Sequence, residues 1–263
     1  MDIKELQVSD KNKYRNHPWE YARSKVVFNV IKKYIPKQNT NNGLVLDVGC
    51  GDVFFLTQFA ENFSDYQLKA VDSAFDNELV TYLSDKYQDY NIEFYKDTKE
   101  LQVANENVSL VFLLDVIEHI EDDIDFLRNL STHINANKET LFVITVPAYN
   151  ALYCAHDKWL GHYRRYSQKE LKKHVIEAGL LPVSGGYFFT SLLFPRMAQK
   201  LVESLKKSKE KQVQGIGNWT GGKMASFIYE KILLLDYYFF KLFRIFNVRM
   251  PGLSTYILCR KSL

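Results

Sequence analysis

Five short apolar runs punctuate the first 150 residues: Leu44–Val48, Leu68–Val71, Ile92–Tyr95, Val108–Leu114 and Leu141–Val146. Bulky runs with little polar alternation read as strands covered on both faces, as a parallel sheet requires. Stretches at helical spacing separate them, predicting helices over Val53–Asn62, Asp76–Lys86 and Glu118–Ile134. Upstream, "HPWEYARSKVVFNVIKKYI" reads as a helix whose stripe is Val26, Val27, Val30 and Ile31. After the fifth run come a loop and a helix over Gln168–Ala178, started by a capping box of Ser167 and Glu170. Leu181–Phe189 and Ser254–Arg260 read as two closing strands, antiparallel to each other. Some 60 residues separate them, far beyond a hairpin loop of about 2–5 residues. The prediction is therefore α/β: a doubly wound, mostly parallel seven-stranded sheet with a helical insertion before the last strand. Residues 1–189 and 253–263 form the sheet domain, and 190–252 the insertion.

Composition narrows the class. In 263 residues, 46% are hydrophobic and 25% charged, as in a soluble globular chain. Aromatics reach 14%, enough to furnish apolar pockets or a membrane-facing surface as well as a core. Cys50, Cys154 and Cys259 are scattered and form no CxxC, which argues for a reducing compartment and against structural zinc. The start, "MDIKELQVSDKNK", has no signal-peptide core, and no uncharged run reaches the ~18 residues of a membrane span. The expected location is cytoplasmic, with a peripheral contact at the inner membrane face left open. Net charge is +3, but residues 190–252 carry 11 Lys/Arg against 4 Asp/Glu, so the insertion is +7 and the remainder −4. No base-reading or stacking motif accompanies this charge, and no nucleic acid is expected. Oligomeric state is not legible.

The first strand runs into "LDVGCGD". Gly49 and Gly51 match the opening of a dinucleotide fingerprint, but its third glycine position holds Phe54, and the Gly-Lys-Ser/Thr of a P-loop is absent. Asp52 at the next helix start would repel a pyrophosphate. The loop thus permits close backbone approach in acidic surroundings, which suits a ligand carrying an ammonium or sulfonium charge. Asp72 ends the second strand, 21 residues after Gly51, where an acid can accept both ribose hydroxyls of an adenosine. Asp97 ends the third strand, within reach of an adenine amino group. Helix capping is the competing account of such acids.

"LVLDVGCGD…AVD…LLDVIEH" resembles the class I S-adenosylmethionine-dependent methyltransferases over roughly residues 17 to 190, with a weaker match at "PGLSTYILCRK". The resemblance implies the Rossmann-like methyltransferase fold. It implies a cofactor site at Asp47, Gly49, Cys50, Gly51, Asp72, Ser73, Asp97 and Asp115, with Trp19 and Arg23 covering the cofactor and Arg23 meeting its carboxylate.

Asp115, Glu118 and His119 share a face if a helix begins there. Capping explains Asp115 and Glu118 without chemistry. The same spacing resembles ubiquinone-pathway O-methyltransferases, which implies a divalent metal on these three residues and leaves the metal open. The loop "VPAYNALYCAHDKWLGHYRRYS" carries His156, Asp157, Trp159, His162, Tyr163, Arg164, Arg165 and Tyr166. A histidine near neutral pKa can take the proton of an acceptor hydroxyl, so His119, His156 and His162, with Asp157, compete for the catalytic role. Arginines fork onto carboxylate or phosphate, making Trp159, Tyr163, Arg164, Arg165 and Tyr166 substrate-binding candidates. Arg164 and Arg165 also suit pairs with core acids. A "VPA…D…GHYRRY" pattern resembles a bacterial methyltransferase subgroup associated with envelope glycans and lipids.

In the insertion, "KMASFIYEKILLLDYYFFKLFRIF" gives an apolar face of Phe227, Ile228, Leu234, Leu235, Tyr238 and Leu242, preceded by an amphipathic helix and a lysine cluster. It reads as a lid on a greasy acceptor, as a membrane-surface contact, or as a cap packed on the sheet. The expected activity is O-methylation of a glycan, lipid-linked sugar or lipid-like aromatic acceptor. Its rivals are a metal-dependent small-molecule O-methyltransferase of quinone or natural-product type and a non-catalytic cofactor-binding scaffold.

Overall fold

The computed structural model describes residues 17–35, 43–63, 65–101, 103, 107–205, 219, 221–246, 248 and 250–262. The charged start (1–13) and the lysine cluster (206–211) lie outside these residues. Among the described residues seven strands are present: β1 (Leu44–Val48), β2 (Gln67–Val71), β3 (Ile92–Tyr95), β4 (Val108–Leu114), β5 (Leu141–Pro147), β6 (Leu180–Phe188) and β7 (Ser254–Lys261). They are ordered β3-β2-β1-β4-β5-β7-β6. Pairs from β3 to β5 are parallel; β7 is antiparallel to both β5 and β6. The predicted architecture, closing pair included, is the observed one.

Helices α1 (Pro18–Ile31), α2 (Phe54–Asn62) and α3 (Asn77–Lys86) cover one face, α4 (Asp123–His133) and α6 (Gln168–Glu177) the other. Along β4, Leu110, Phe112 and Leu114 pack into the first layer while Val111 and Leu113 enter the second. That two-residue period lets one strand feed both cores. The helices start as their sequences dictate. His17 caps α1 by accepting from Trp19 N–H (3.1 Å) while Glu20 accepts from His17 N–H (2.9 Å). Ser167 and Glu170 form the predicted box on α6.

Two corrections concern helices. The element predicted from Glu118 begins instead at Asp123, after a single 3₁₀ turn at Ile117–His119. Asp115 is no N-cap: its φ is +59°, and its N–H donates to Thr145 O (2.9 Å), prolonging the β4–β5 ladder. Backbone committed to the sheet is not available to start a helix. In the insertion, α7 (Leu193–Leu205) and α8 (Lys223–Leu242) are both helical. The predicted apolar face of α8 divides: Leu234 is buried with Leu233 and Tyr237, whereas Phe227, Ile228, Leu235, Tyr238 and Leu242 are exposed. The buried side joins the core that holds Phe28 and Phe55, and Tyr237 and Lys241 donate to Asn29 Oδ1 of α1 (3.1 and 2.6 Å). Asp236 holds the end of β6 to α8 by accepting from the Thr190 and Ser191 N–H groups, both at 2.9 Å.

Candidate active site

The strand order reverses between β1 and β4, and ligand crevices form outside the C-terminal strand ends at such a switch. A cleft of about 1080 Å³ opens there. The tips of β1, β2 and β4, the start of α1, the short helix α5 (Ala155–Leu160) and α7 all contribute to it.

Its first half is acidic and stripped of side-chain bulk. Gly49 sits at φ +73°, where a Cβ would lie 2.6 Å from Val116 Cγ2, so a side chain is excluded by backbone and by space. Asp47 is buried on β1, and its Oδ2 has no hydrogen-bond partner among the described residues. Burial pushes its carboxyl up to about 7. Asp72 is aimed by two N–H groups, Gly51 on Oδ2 and Ala74 on Oδ1, both at 3.0 Å. Cys50 and Ser73 line the same wall. Asp97 lines it as well, yet it also caps a 3₁₀ turn, accepting from Lys99 N–H (2.9 Å), which lowers its carboxyl pKa. Both accounts of that acid therefore apply.

Trp19 and Arg23 reach the cleft from α1. The Arg23 guanidinium lies 4.6 Å from the centre of the Trp19 ring and pairs with Asp115 Oδ2, while its buried Nε keeps no partner among the described residues. Asp115 is thereby held as the counter-ion of Arg23, with Thr145 Oγ1 donating to its other oxygen at 3.3 Å.

The second half is built from the loop after β5. Asp157 is fully buried and accepts from Arg165 Nε (2.8 Å), Cys154 N–H (2.9 Å) and His162 Nδ1 (3.0 Å). Burial is the largest single influence and would raise its carboxyl, but the His162 hydrogen bond, the Arg165 charge and hydrogen bond and the Cys154 N–H together hold it well below the usual range. The His162 ring meets His119 edge-on, centroids 4.6 Å apart. His156 stacks on Trp159 at 6.0 Å, and burial lowers its pKa to about 4, so it stays neutral near pH 7. Glu118 is completely buried, and neither carboxylate oxygen has a hydrogen-bond partner among the described residues. Burial raises its pKa well above the ordinary value.

Of the five aromatic and arginine residues proposed for substrate contact, only Arg165 lines the cleft. Arg164 pairs with Asp123 (3.1 Å) and donates to Glu121 O (2.6 Å). Tyr166 is buried with its hydroxyl on Asp123 Oδ2 (2.7 Å), beside His174 Nδ1 on the same oxygen (2.7 Å). Tyr163 is exposed, and Trp159 contacts the cleft-lining His156 from behind. One buried acid, Asp123, collects Arg164, Tyr166 and His174 and so braces the loop against α4. The metal candidates also change. Glu118, His119 and His162 bring ligand atoms within 4.8 Å of one another, whereas Asp115 is drawn away by Arg23. Pattern reading missed Arg196, Gln199, Leu192 and Tyr229 of the insertion, which also line the cleft. A polar face on α7 was the available signal.

A family model described as a methyltransferase domain matches residues 19–184. The chain belongs to this family of S-adenosylmethionine-dependent methyltransferases. A ubiquinone biosynthesis O-methyltransferase from Rickettsia canadensis is 30% identical over 109 residues, which cover 41% of this chain and 45% of that protein. The chain therefore matches less than half the length of that relative. Among solved structures, a putative sarcosine dimethylglycine methyltransferase from Galdieria sulphuraria superposes with TM-score 0.57 at 12% identity, covering 91% of this chain and 85% of the other. The 1,6-didemethyltoxoflavin-N1-methyltransferase of Burkholderia thailandensis, solved with S-adenosylhomocysteine, gives 0.52 at 14%, covering 94% and 79%. For this methyltransferase, the cofactor half of the cleft fits its ligand on structural grounds. The orphan Asp47 oxygen can accept from an amino group, the aimed Asp72 suits hydroxyls, and Gly49 leaves room for close approach.

Proposed function

We propose that this methyltransferase methylates an oxygen of a lipid-linked sugar, glycan or lipid-like aromatic acceptor, with His162 taking the proton. The Asp157–His162 pair carries the reading. With Nδ1 donating to a buried carboxylate, the ring is fixed in the tautomer that leaves Nε2 as an acceptor. Arg165 and Cys154 N–H hold that carboxylate in place, so the base is oriented before any acceptor arrives. His156, neutral and weakly basic, is the poorer choice, and the His119 ring stands edge-on to His162.

When bound, S-adenosylmethionine supplies an electrophilic methyl group. The chain's own work is positioning. Asp47 holds the amino-acid end and Asp72 the nucleoside end, Trp19 and Arg23 cover them, and α5 and α7 shield the acceptor side from water. Leu160, Phe126, Leu192 and Pro195 make that side apolar, and Arg196 places a cation in it, which suits an acceptor with a greasy portion and an anionic group. His162→Gln is the test. Calorimetry should show S-adenosylmethionine binding retained while methylated envelope lipids or glycans, compared by mass spectrometry with and without the gene, disappear. Unchanged product would sink the assignment.

A second reading is favoured by Glu118. A buried carboxylate without hydrogen-bond partners among the described residues, converging with His119 and His162, offers a divalent-metal ligand set, with Asp157 orienting His162. It predicts chelator-sensitive activity on a smaller acceptor of quinone or natural-product type.

A further inference from the structure

Helix α7 is inside out. Its polar side faces the protein: Arg196 donates to Cys154 Sγ (2.7 Å), Lys200 to the Tyr153 carbonyl, and Glu203 accepts from Ala155 N–H (3.2 Å). Its other side shows Phe194, Met197, Leu201 and Leu205 at helical spacing, with Phe194 72% and Leu205 82% exposed. A water-facing helix is patterned the other way. Helix α8 buries Leu233, Leu234 and Tyr237 on one side but leaves Met224, Phe227, Leu235 and Phe239 exposed, Leu235 at 71%. Scattered exposed apolar residues are ordinary; two helix-long stripes mark an interface.

The charge indicates what covers them. The insertion is net +7 by sequence. Its described acids are engaged within the protein: Asp236 by Thr190 and Ser191, Glu230 by Lys25, Glu203 by Ala155 and Gln199. The Lys231 ammonium lies over the ring of Phe227, a member of the α8 stripe, at 5.0 Å, so a cation sits among the exposed apolar side chains. Among the described residues no helix is long and apolar enough to cross a membrane. Apolar stripes on a strongly cationic segment, without spanning length among the described residues, are the pattern of helices lying in a headgroup layer.

We infer that α7 and α8 dock this protein on an anionic membrane, and that the acceptor enters the cleft from it. Leu192, Pro195 and Arg196 at the start of α7, and Tyr229 of α8, line the cleft as well as belonging to this segment. The entry route rests on the methyl-transfer reading; the docking face does not.

The test uses the full chain, with vesicles of phosphatidylcholine alone or mixed with phosphatidylglycerol. Wild type should sediment with the mixed vesicles about tenfold more than with the neutral ones, and less as salt rises. The pairs Phe194→Glu with Leu201→Glu, and Leu235→Glu with Phe239→Glu, should each weaken that binding about tenfold or more, while calorimetry shows S-adenosylmethionine still bound. Variants that sediment like wild type would overturn the inference. So would a wild type that ignores both vesicles, or a wild-type dimer that either pair converts to monomer, because the stripes would then join two copies. Vesicle binding without cofactor heat would remove the methyl-transfer reading and the entry route with it, yet uphold the docking face.

Discussion

Glu118→Gln should stabilise the protein. The glutamate is completely buried, and both its oxygens lack hydrogen-bond partners among the described residues. Folding therefore strips its hydration without replacement, and its pKa rises well above the ordinary 4.5, with burial the leading cause and the nearby Asp115 charge adding to it. For an acid whose folded pKa is raised, the folded state binds more protons than the unfolded state between the two values. Stability is thus lost as pH climbs above 4.5 toward the folded pKa. At pH 7 the ceiling is the span from 4.5 to 7 at about 1.36 kcal/mol per unit, ~3.4 kcal/mol. Glutamine keeps the shape and removes the ionisation; its amide is as unpartnered as the acid, so only the linkage term is relieved and the gain should be about 1–3 kcal/mol at pH 7. At about 2–4 °C per kcal/mol for a chain of this size, the melting temperature should rise by several degrees. Calorimetric melts in chelator, from pH 4 to 8, measure it; the difference should vanish near pH 4 and grow with pH. A variant that melts below wild type at pH 7 in chelator would refute the reasoning. If added divalent metal raises the melting temperature of wild type but not of the variant, Glu118 is a ligand, and its poor solvation is the cost of the site.

Asp157→Asn acts in the opposite direction. It leaves the buried Arg165 without its anion and should lower stability by about 3–5 kcal/mol. Because the Asp157 carboxyl is held below its ordinary 3.8, its stabilisation is present above that pH and lost as pH falls through and below it; the variant's acid-unfolding curve should lack this component. Gly49→Ala, at φ +73° and 2.6 Å from Val116, should cost about 1–3 kcal/mol in thermal melts and disturb cofactor binding measured by calorimetry. Asp72→Ala should weaken S-adenosylmethionine binding about tenfold or more, ~1.4 kcal/mol per tenfold, and an unchanged dissociation constant would remove Asp72 from the site.

Period and punctuation carried the architecture. Apolar runs covered on both faces call for parallel strands with helices on each side, and the long gap before "STYILCRK" calls for an insertion. These are local or chain-order properties, so the sheet and the Gly49–Asp72 half of the cleft were legible from the string of residues. The choice of which charged side chain serves the cleft was not. Arg164 and Arg165 are neighbours in sequence, yet one goes to Asp123 and the other to Asp157, because a buried acid attracts whichever cation the fold brings beside it. Asp115, expected to cap a helix or hold a metal, is claimed by Arg23 from 92 residues away. His162 becomes the oriented histidine only through Asp157, and Glu118 is isolated only by burial. Pairing energies and desolvation depend on three-dimensional proximity, which no periodicity encodes.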